Sequence, residues 1–481
     1  MKVKDDIVAV SSGEIQGVSE NGISRYLGVP YAAAPVGDLR FALPQPHPGW
    51  SGVRDATSFG ATAPQARWAD NILDDVFPTV VVPGDEYLNV NVWTPDGASA
   101  LPVMVWVHGG ALSHGSIVLD SYDGTTFARD GVVYVSISYR LGTEGFSVLD
   151  GASNNLGLAD VIAAARWVKA EIGAFGGDPD NITLFGESGG SILIGNILAL
   201  PDVAEICTRM ILESGLPRAE TVEQGRQITV ETAAVLGVEP TRDAFAAFSQ
   251  AELVKAQEEV TAQQSPLTGG AHFTIVNDGQ IVPDDPSALV ATGPATAIPI
   301  LLGTTTEEAN LWVLTTPTKD MTAEQLDETL VRYRISPETA AVYRANRPDA
   351  SPAVLLSAIL SDLLMRLGTN RLADARLANG ATTHVFEFAW PSPVHNLGAA
   401  HATELGFVFD RLLSDDFVRL TGADAPQQVA DDMHAAWIAF AKTGDPGWQR
   451  WNETRPVYTF DAPRSGVTYA PRDDERSAWN H

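Results

Sequence analysis

Residues 181–191 read Asn-Ile-Thr-Leu-Phe-Gly-Glu-Ser-Gly-Gly-Ser, a short apolar run that ends in Gly186-Glu187-Ser188-Gly189-Gly190 and leads into the apolar stretch Ile192 to Leu200. Strand, Gly-x-Ser-x-Gly and helix in that order put a serine on a sharp turn with its hydroxyl exposed. The flanking glycines are needed because a Cβ on either would strike neighbouring backbone. The helix that follows points its N-terminal N–H groups and positive dipole end at the place where charge collects when a carbonyl is attacked. The chemistry predicted is nucleophilic acyl transfer from Ser188.

Such chemistry needs an oxyanion site, a base and an acid. Val107-His108-Gly109-Gly110-Ala111 again follows an apolar run, and its small residues let backbone amides approach a substrate. The N–H groups of Gly110, Ala111 and Gly189 are the expected oxyanion donors. A histidine must take the serine proton and a carboxylate must orient it, in chain order Ser, Asp/Glu, His. Of the nine histidines, six follow Ser188. His272 precedes the expected acid, His384 opens a strand, His434 lies in the helical run Gln428 to Lys442, and His481 is terminal. His395 and His401 remain, and the small neighbours of His401 in Gly398-Ala399-Ala400-His401 favour it. For the acid, Glu307 and Glu308 stand together after the run Ile298 to Leu302, and residue chemistry does not separate them.

These groups must be positioned by a sheet. The runs Val103–Val107, Val132–Ile137, Ile182–Phe185, Met210–Leu212, Ile298–Leu302 and Val385–Phe388 have the composition of buried parallel strands. The clearest helix, Leu158 to Ala174, places Ile162, Ala165, Val168 and Ile172 on one face and Lys169 and Glu171 toward water. Alternation of such elements predicts an open α/β fold with a mostly parallel sheet covered on both faces. Two stretches, about 218–264 and 322–377, lack strand patterns and read as helical insertions that pack on the sheet edge or cap a pocket. No repeat or linker divides the chain, so one domain over 1–481 is expected.

Sixty acidic against thirty-one basic residues give a net charge of −29, which disfavours nucleic acid and favours a neutral or cationic small molecule. Cys207 is the lone cysteine, so an intrachain disulfide is excluded. The N-terminus has no apolar signal-like run and no stretch reaches about 18 apolar residues, so a cytoplasmic protein without a membrane segment is expected. There is no His-Glu-x-x-His, no paired-cysteine spacing and no nucleotide-binding glycine loop, so neither metal nor cofactor is expected.

The chain resembles the type B carboxylesterase and cholinesterase-like family, including the bacterial para-nitrobenzyl-esterase-like members. The resemblance rests on Phe175-Gly176-Gly177-Asp178-Pro179 through Gly186–Gly190, with Gly28-Val29-Pro30-Tyr31-Ala32, Val103 to Gly110, Tyr139-Arg140-Leu141-Gly142, Asn155 to Asp160 and Phe440 to Pro446. It implies the α/β-hydrolase fold and serine ester hydrolysis through an acyl-enzyme. The family's acid, in Gly-Thr-Thr-x-(Asp/Glu)-Glu, falls on Glu308, and its histidine, in Gly-Ala-x-His-x-x-(Glu/Asp)-Leu, on His401. Tyr87 stands where secreted relatives carry a disulfide cysteine, Leu112 where phenylalanine is usual and Gly189 where alanine is usual. Expected pocket residues are Leu112, Glu187, Leu216, Phe273, Trp312 and Phe407, with Trp68 near them. A carbamate or amide hydrolase using the same triad is the alternative within enzymes, and a silent binding member of the fold the alternative outside them.

Overall fold

The computed structural model describes residues 4–68, 71–262 and 270–479, so His481 and residues 263–264 of the first expected insertion lie outside the described residues. Fifteen strands are described: β1 (Lys4–Val10), β2 (Gly13–Glu20), β3 (Ile23–Pro30), β4 (Val53–Asp55), β5 (Asn89–Pro95), β6 (Leu101–Val107), β7 (Val133–Ile137), β8 (Gly177–Glu187), β9 (Arg209–Glu213), β10 (Glu220–Thr221), β11 (Val276–Asn277), β12 (Ile300–Thr305), β13 (Thr383–Phe388), β14 (Pro456–Phe460) and β15 (Gly466–Tyr469). Thirteen form one sheet in the order β1-β2-β3-β5-β7-β6-β8-β9-β12-β13-β14-β15, with β4 beside β2. From β7 to β14 all neighbours are parallel, while the first five strands on the path and the last pair are antiparallel.

Alternation along the central strands feeds two cores. Val103, Val105 and Val107 of β6 join Leu184 and Leu212 on one face, and Met104 and Trp106 join Phe185, Ile211 and Leu301 on the other. All six expected strands are present. One is displaced: β12 begins at Ile300 rather than Ile298 and runs on to Thr305. The turn Pro294–Ala297 and Pro299, which has no N–H to donate, delay its start, and the β-branched threonines pair with β13 as far as Phe388. The acid-bearing loop is therefore shorter than expected.

The expected crossover helix spans Leu156–Glu171 and continues as a tighter turn over Ile172–Phe175, with Ile162, Ala165, Val168 and Ile172 all buried. The first insertion holds helices Val222–Leu236, Arg242–Ala246 and Gln250–Thr261. The second holds Ala323–Arg332, Pro337–Asn346 and a continuous helix from Pro352 to Ala378 with one wide turn at Asp362–Arg366. That last helix qualifies the expectation of no span-length segment. It is long and apolar enough to cross a bilayer, yet 61% of its most apolar window is buried inside the protein.

Register brings the chemistry-bearing ends into line. Val107 of β6 pairs with Gly186 of β8, Glu187 of β8 with Glu213 of β9, and Glu213 with Gly303 of β12. The residues after β6, β8, β9, β12 and β13 thus emerge at one carboxyl edge, where open α/β sheets bind ligands.

Candidate active site

Ser188 sits between β8 and the helix Gly189–Leu198 with φ 53° and ψ −120°, a conformation that side-chain-bearing residues rarely adopt. Its N–H donates to Glu213 O (2.9 Å) and its carbonyl accepts from Ile192 N–H (3.0 Å), which locks the turn from both sides. Gly190 is obligatory here, since a Cβ would fall 1.9 Å from Val107 O. At Gly186 a Cβ would lie 2.7 Å from the same carbonyl. The hydroxyl is half-exposed, and among the described residues no hydrogen bond engages it.

The two candidate acids take different jobs. Glu308 is fully buried, and its Oε2 lies 2.6 Å from His401 Nδ1. Its Oε1 accepts from Ser214 Oγ (2.6 Å) and Thr305 N–H (2.9 Å). Glu307 instead turns back to the histidine loop, accepting from Ala399 N–H (2.9 Å), and Gly398 is needed beneath it because a Cβ there would meet Glu307 Oε2 at 2.2 Å. The histidines separate as cleanly. His395 lies at the surface, 3.8 Å from Asp75, while His401 is buried against Glu308 with the Trp312 ring 4.9 Å from its own.

His401 Nε2 does not meet the serine in this state; it lies 2.9 Å from Glu187 Oε1. Burial pushes the imidazole pKa down, but the flanking carboxylates of Glu187 and Glu308 outweigh it and hold the pKa well above the usual histidine value. Two further carboxyls are buried nearby. Glu213 Oε1 accepts from Trp437 Nε1–H (3.0 Å), and both oxygens of Glu404 lack a hydrogen-bond partner. Burial first, then neighbouring glutamates, pushes the Glu404 carboxyl well above the carboxylate range. Burial is the main cause of the rise at Glu213, well above the ordinary carboxylate value, and of a rise at Glu187 that His401 opposes. Two carboxyls, Glu187 and Glu308, thus flank the imidazole, and Glu308 is the one held by three hydrogen-bonding groups, His401, Ser214 and Thr305.

Across from Ser188, the loop after β6 turns on three consecutive positive φ values, at Gly110, Ala111 and Leu112. The amides of Ala111 and Leu112 face Gly189: a Cβ on Gly189 would lie 3.6 Å and 3.4 Å from them. Among the described residues no backbone hydrogen bond consumes the Gly110 or Ala111 N–H. The Gly189 N–H, first in its helix, has no intrahelical partner. Three donors are thus free on two sides of the serine. His108 stacks on Tyr139 and is buried, which pushes its pKa down to about 4, so it stays neutral.

The expected pocket residues divide. Leu112 contacts the Gly189 position, Glu187 and Trp312 touch His401, and Leu216 follows Gly215, where a Cβ would lie 2.5 Å from the Ser188 carbonyl. Phe407 is a correction: it is 0% exposed among Phe388, Trp390 and Phe417, and so presents nothing to a substrate. An aromatic side chain two turns from the histidine is drawn into the larger apolar core on that face. Phe273 likewise belongs to the core on the opposite face, and Trp68 stacks on His114 rather than on the serine side. Sequence reasoning missed Ser214, Glu213 and Glu404. A Glu-Ser pair closing the apolar run Met210–Leu212 was the signal for the first two.

Comparison with known proteins gives one family. Residues 4–461 match the model of the carboxylesterase family. The para-nitrobenzyl esterase of Bacillus subtilis is 35% identical over 95% of each chain, and the phenmedipham hydrolase of Pseudarthrobacter oxydans 34% identical over 92% of this chain and 90% of its own. Among solved structures, a carboxylesterase of Geobacillus stearothermophilus superposes with a TM-score of 0.87 at 35% identity, covering 98% of this chain and 99% of that one.

Proposed function

Because the chain belongs to the carboxylesterase family, and is a carboxylic ester hydrolase of the α/β-hydrolase fold, we propose that Ser188, His401 and Glu308 are the residues that carry its hydrolysis. The observation that supports this best is the 2.6 Å contact of Glu308 Oε2 with His401 Nδ1 at the same sheet edge as the strained Ser188 turn. Ser188 Oγ attacks the acyl carbonyl as its proton passes to His401 Nε2. The carbonyl electron pair moves to oxygen, where the N–H groups of Gly110, Ala111 and Gly189 receive it. The imidazolium then hands its proton to the leaving alcohol, and water repeats the sequence on the acyl-enzyme. For this, Nε2 exchanges Glu187 for the serine hydroxyl when substrate enters, a tightening common on passing from the free enzyme to the complex.

The substrates that suit this site are neutral carboxylic esters. The net charge of −29 repels anions, and Trp312 offers an apolar wall beside the base. Trp312 also packs on the core of the second insertion, with Leu326, Leu330 and Tyr343, so that insertion serves as a cap over the His401 side of the pocket.

The test is hydrolysis of p-nitrophenyl acetate and butyrate by wild type and Ser188→Ala, with mass spectrometry after an organophosphonate probe. Loss of activity in the variant with the adduct on Ser188 in the wild type is expected; an active variant overturns the assignment. Carbamate or amide turnover on the same residues is distinguished by leaving group: rates that match those of the corresponding esters favour the alternative.

A further inference from the structure

The amides assigned to the oxyanion lie on a segment that ought not to hold its shape unaided. Gly110, Ala111 and Leu112 have φ of +111°, +54° and +61°, and Gly115 returns to +109°. An alanine and a leucine in the left-handed region cost free energy that surrounding contacts must offset. The segment does fold on itself, with Ser113 and His114 N–H groups donating to Gly110 O (3.1 and 2.8 Å). It is packed so closely that a Cβ on Gly110 would meet His114 O at 2.2 Å, and one on Gly115 would meet Gly109 O at 2.5 Å. Gly115 is therefore wedged directly against the residues that carry the amides.

Among the described residues, one side chain hydrogen-bonds to Gly115. Gln65 Oε1 accepts from Gly115 N–H and Gln65 Nε2 donates to Gly115 O, both at 2.8 Å, across 50 residues of sequence. Three residues further along, Trp68 stacks on His114 with ring centroids 3.8 Å apart and planes 12° from parallel. The segment that supplies Gln65 and Trp68, residues 57–68, has neither helix nor strand, but its base is fixed: Asn89 Nδ2 donates to Ala61 O (2.8 Å), and Thr62 N–H donates to Val82 O (3.0 Å). Farther out, Asn91 Nδ2 donates to Ile117 O (3.1 Å) and Ser121 Oγ to Asp416, so the turn is tethered beyond Gly115 as well. Nearer the strain, Gly142 N–H donates to Leu112 O (2.8 Å) and Tyr139 OH to His108 O (2.8 Å), and Gln65 closes the far end of the turn at Gly115.

We propose that Gln65, seconded by the Trp68–His114 stack, is a positioning residue for the reaction: it clamps Gly115 and thereby holds the Gly110 and Ala111 amides in the geometry that binds the oxyanion. The inference rests on the oxyanion role given above to those amides. Gln65 touches no substrate. Its effect falls on the transition state, because the ground-state ester makes little use of the amides while the tetrahedral oxygen depends on them.

The experiment compares wild type with Gln65→Met, which keeps the length and loses both hydrogen bonds, Gln65→Glu, which keeps the acceptor for Gly115 N–H, and Trp68→Leu. The readouts are kcat and KM for p-nitrophenyl butyrate, Ki for a trifluoromethyl ketone, which forms a tetrahedral oxyanion on the serine, and Tm. Gln65→Met is expected to lower kcat by about 10–100-fold, less than loss of a donor outright, with KM changed by less than about threefold and the ketone weakened in parallel with kcat. Gln65→Glu should recover part of the loss, and Trp68→Leu should move the same ratios by a smaller factor. If Gln65→Met does not fold, those two variants carry the comparison. Wild-type kcat and ketone affinity in the Gln65 variants, or a fall in Tm with both unchanged, overturns the inference. Ser188→Ala in the same assay separates the two readings: activity there brings down the acyl-enzyme assignment as well, whereas an inactive Ser188→Ala beside a fully active Gln65→Met brings down the clamp alone.

Discussion

The two sides of the candidate active site are built by different means. On one, Ser188 directly follows β8 and Glu308 lies three residues past the end of β12, strands that pair on both sides, so the pitch of the sheet sets where each of them starts from. On the other, Gly110 and Ala111 lie on a turn outside the strands, held by close glycine packing, by Gly142 N–H on Leu112 O, and by Gln65 and Trp68. The first side is placed by many weak, cooperative contacts spread over the sheet. The second depends on few. Position at a sheet end is inherited from the whole fold, while position on a strained loop is set locally and can be lost locally.

The largest break in that comparison should come on the sheet side, where chemistry rather than position is removed. Glu308→Gln should lower kcat by about 10⁴-fold, as replacement of the orienting carboxylate by an amide leaves the imidazole in the wrong tautomer, while KM stays near wild type; steady-state kinetics checks this. Next are two packing changes. Gly190→Ala forces a Cβ to within 1.9 Å of Val107 O, backbone that cannot yield, so loss of soluble folded protein or a destabilisation above about 3 kcal/mol in urea titration is expected. Phe407→Ala should cost about 3–5 kcal/mol by the same titration, with KM unchanged because the ring is sealed among Phe388, Trp390 and Phe417.

A smaller effect tests the carboxylates around the base. The base works only when neutral, so kcat/KM falls as pH drops through the His401 pKa, which Glu187 and Glu308 raise. The acid limb should therefore lie above the unperturbed value of about 6.5. Glu187→Gln removes one of the two negative neighbours and should move that limb to lower pH; an unmoved limb would show that Glu187 is already protonated in the working enzyme. The smallest effect belongs to Gly189→Ala. Its new Cβ meets Leu112 Cδ2 at 3.4 Å, ordinary contact, and kcat/KM for small esters should stay within about fivefold of wild type.

Legibility followed the same division. The motif around Ser188 was readable because sharp turns demand glycine at fixed offsets and leave that demand in the sequence. The parallel strands were readable because burial on both faces forces apolar runs. The antiparallel half was not read: β5 runs Asn-Val-Asn-Val-Trp-Thr-Pro, with Asn89 and Asn91 fully buried yet polar. Their side-chain amides are satisfied by Ala61 O and Ile117 O, partners 28 and 26 residues away that no local pattern announces. The choice of Glu308 over Glu307 came through likeness to other chains, and adjacent residues of one type carry no local signal to separate them. The expectation for Phe407 failed because nearness to His401 in sequence says nothing about which face of the sheet takes the ring.

The sequence alone determined the fold class, the sharp turn at Ser188, the glycine-rich segment proposed for the oxyanion and the short choice of candidate bases and acids, since each is written in periodicity or in residues demanded by backbone geometry. The tertiary structure decided what depends on approach between distant segments. It turned Glu308 to His401 and Glu307 to Ala399, set Glu187 against the imidazole, and closed Gln65 on Gly115. Hydrogen bonds and charge interactions act over a few ångströms of space whatever the separation along the chain, so only the folded register could fix them.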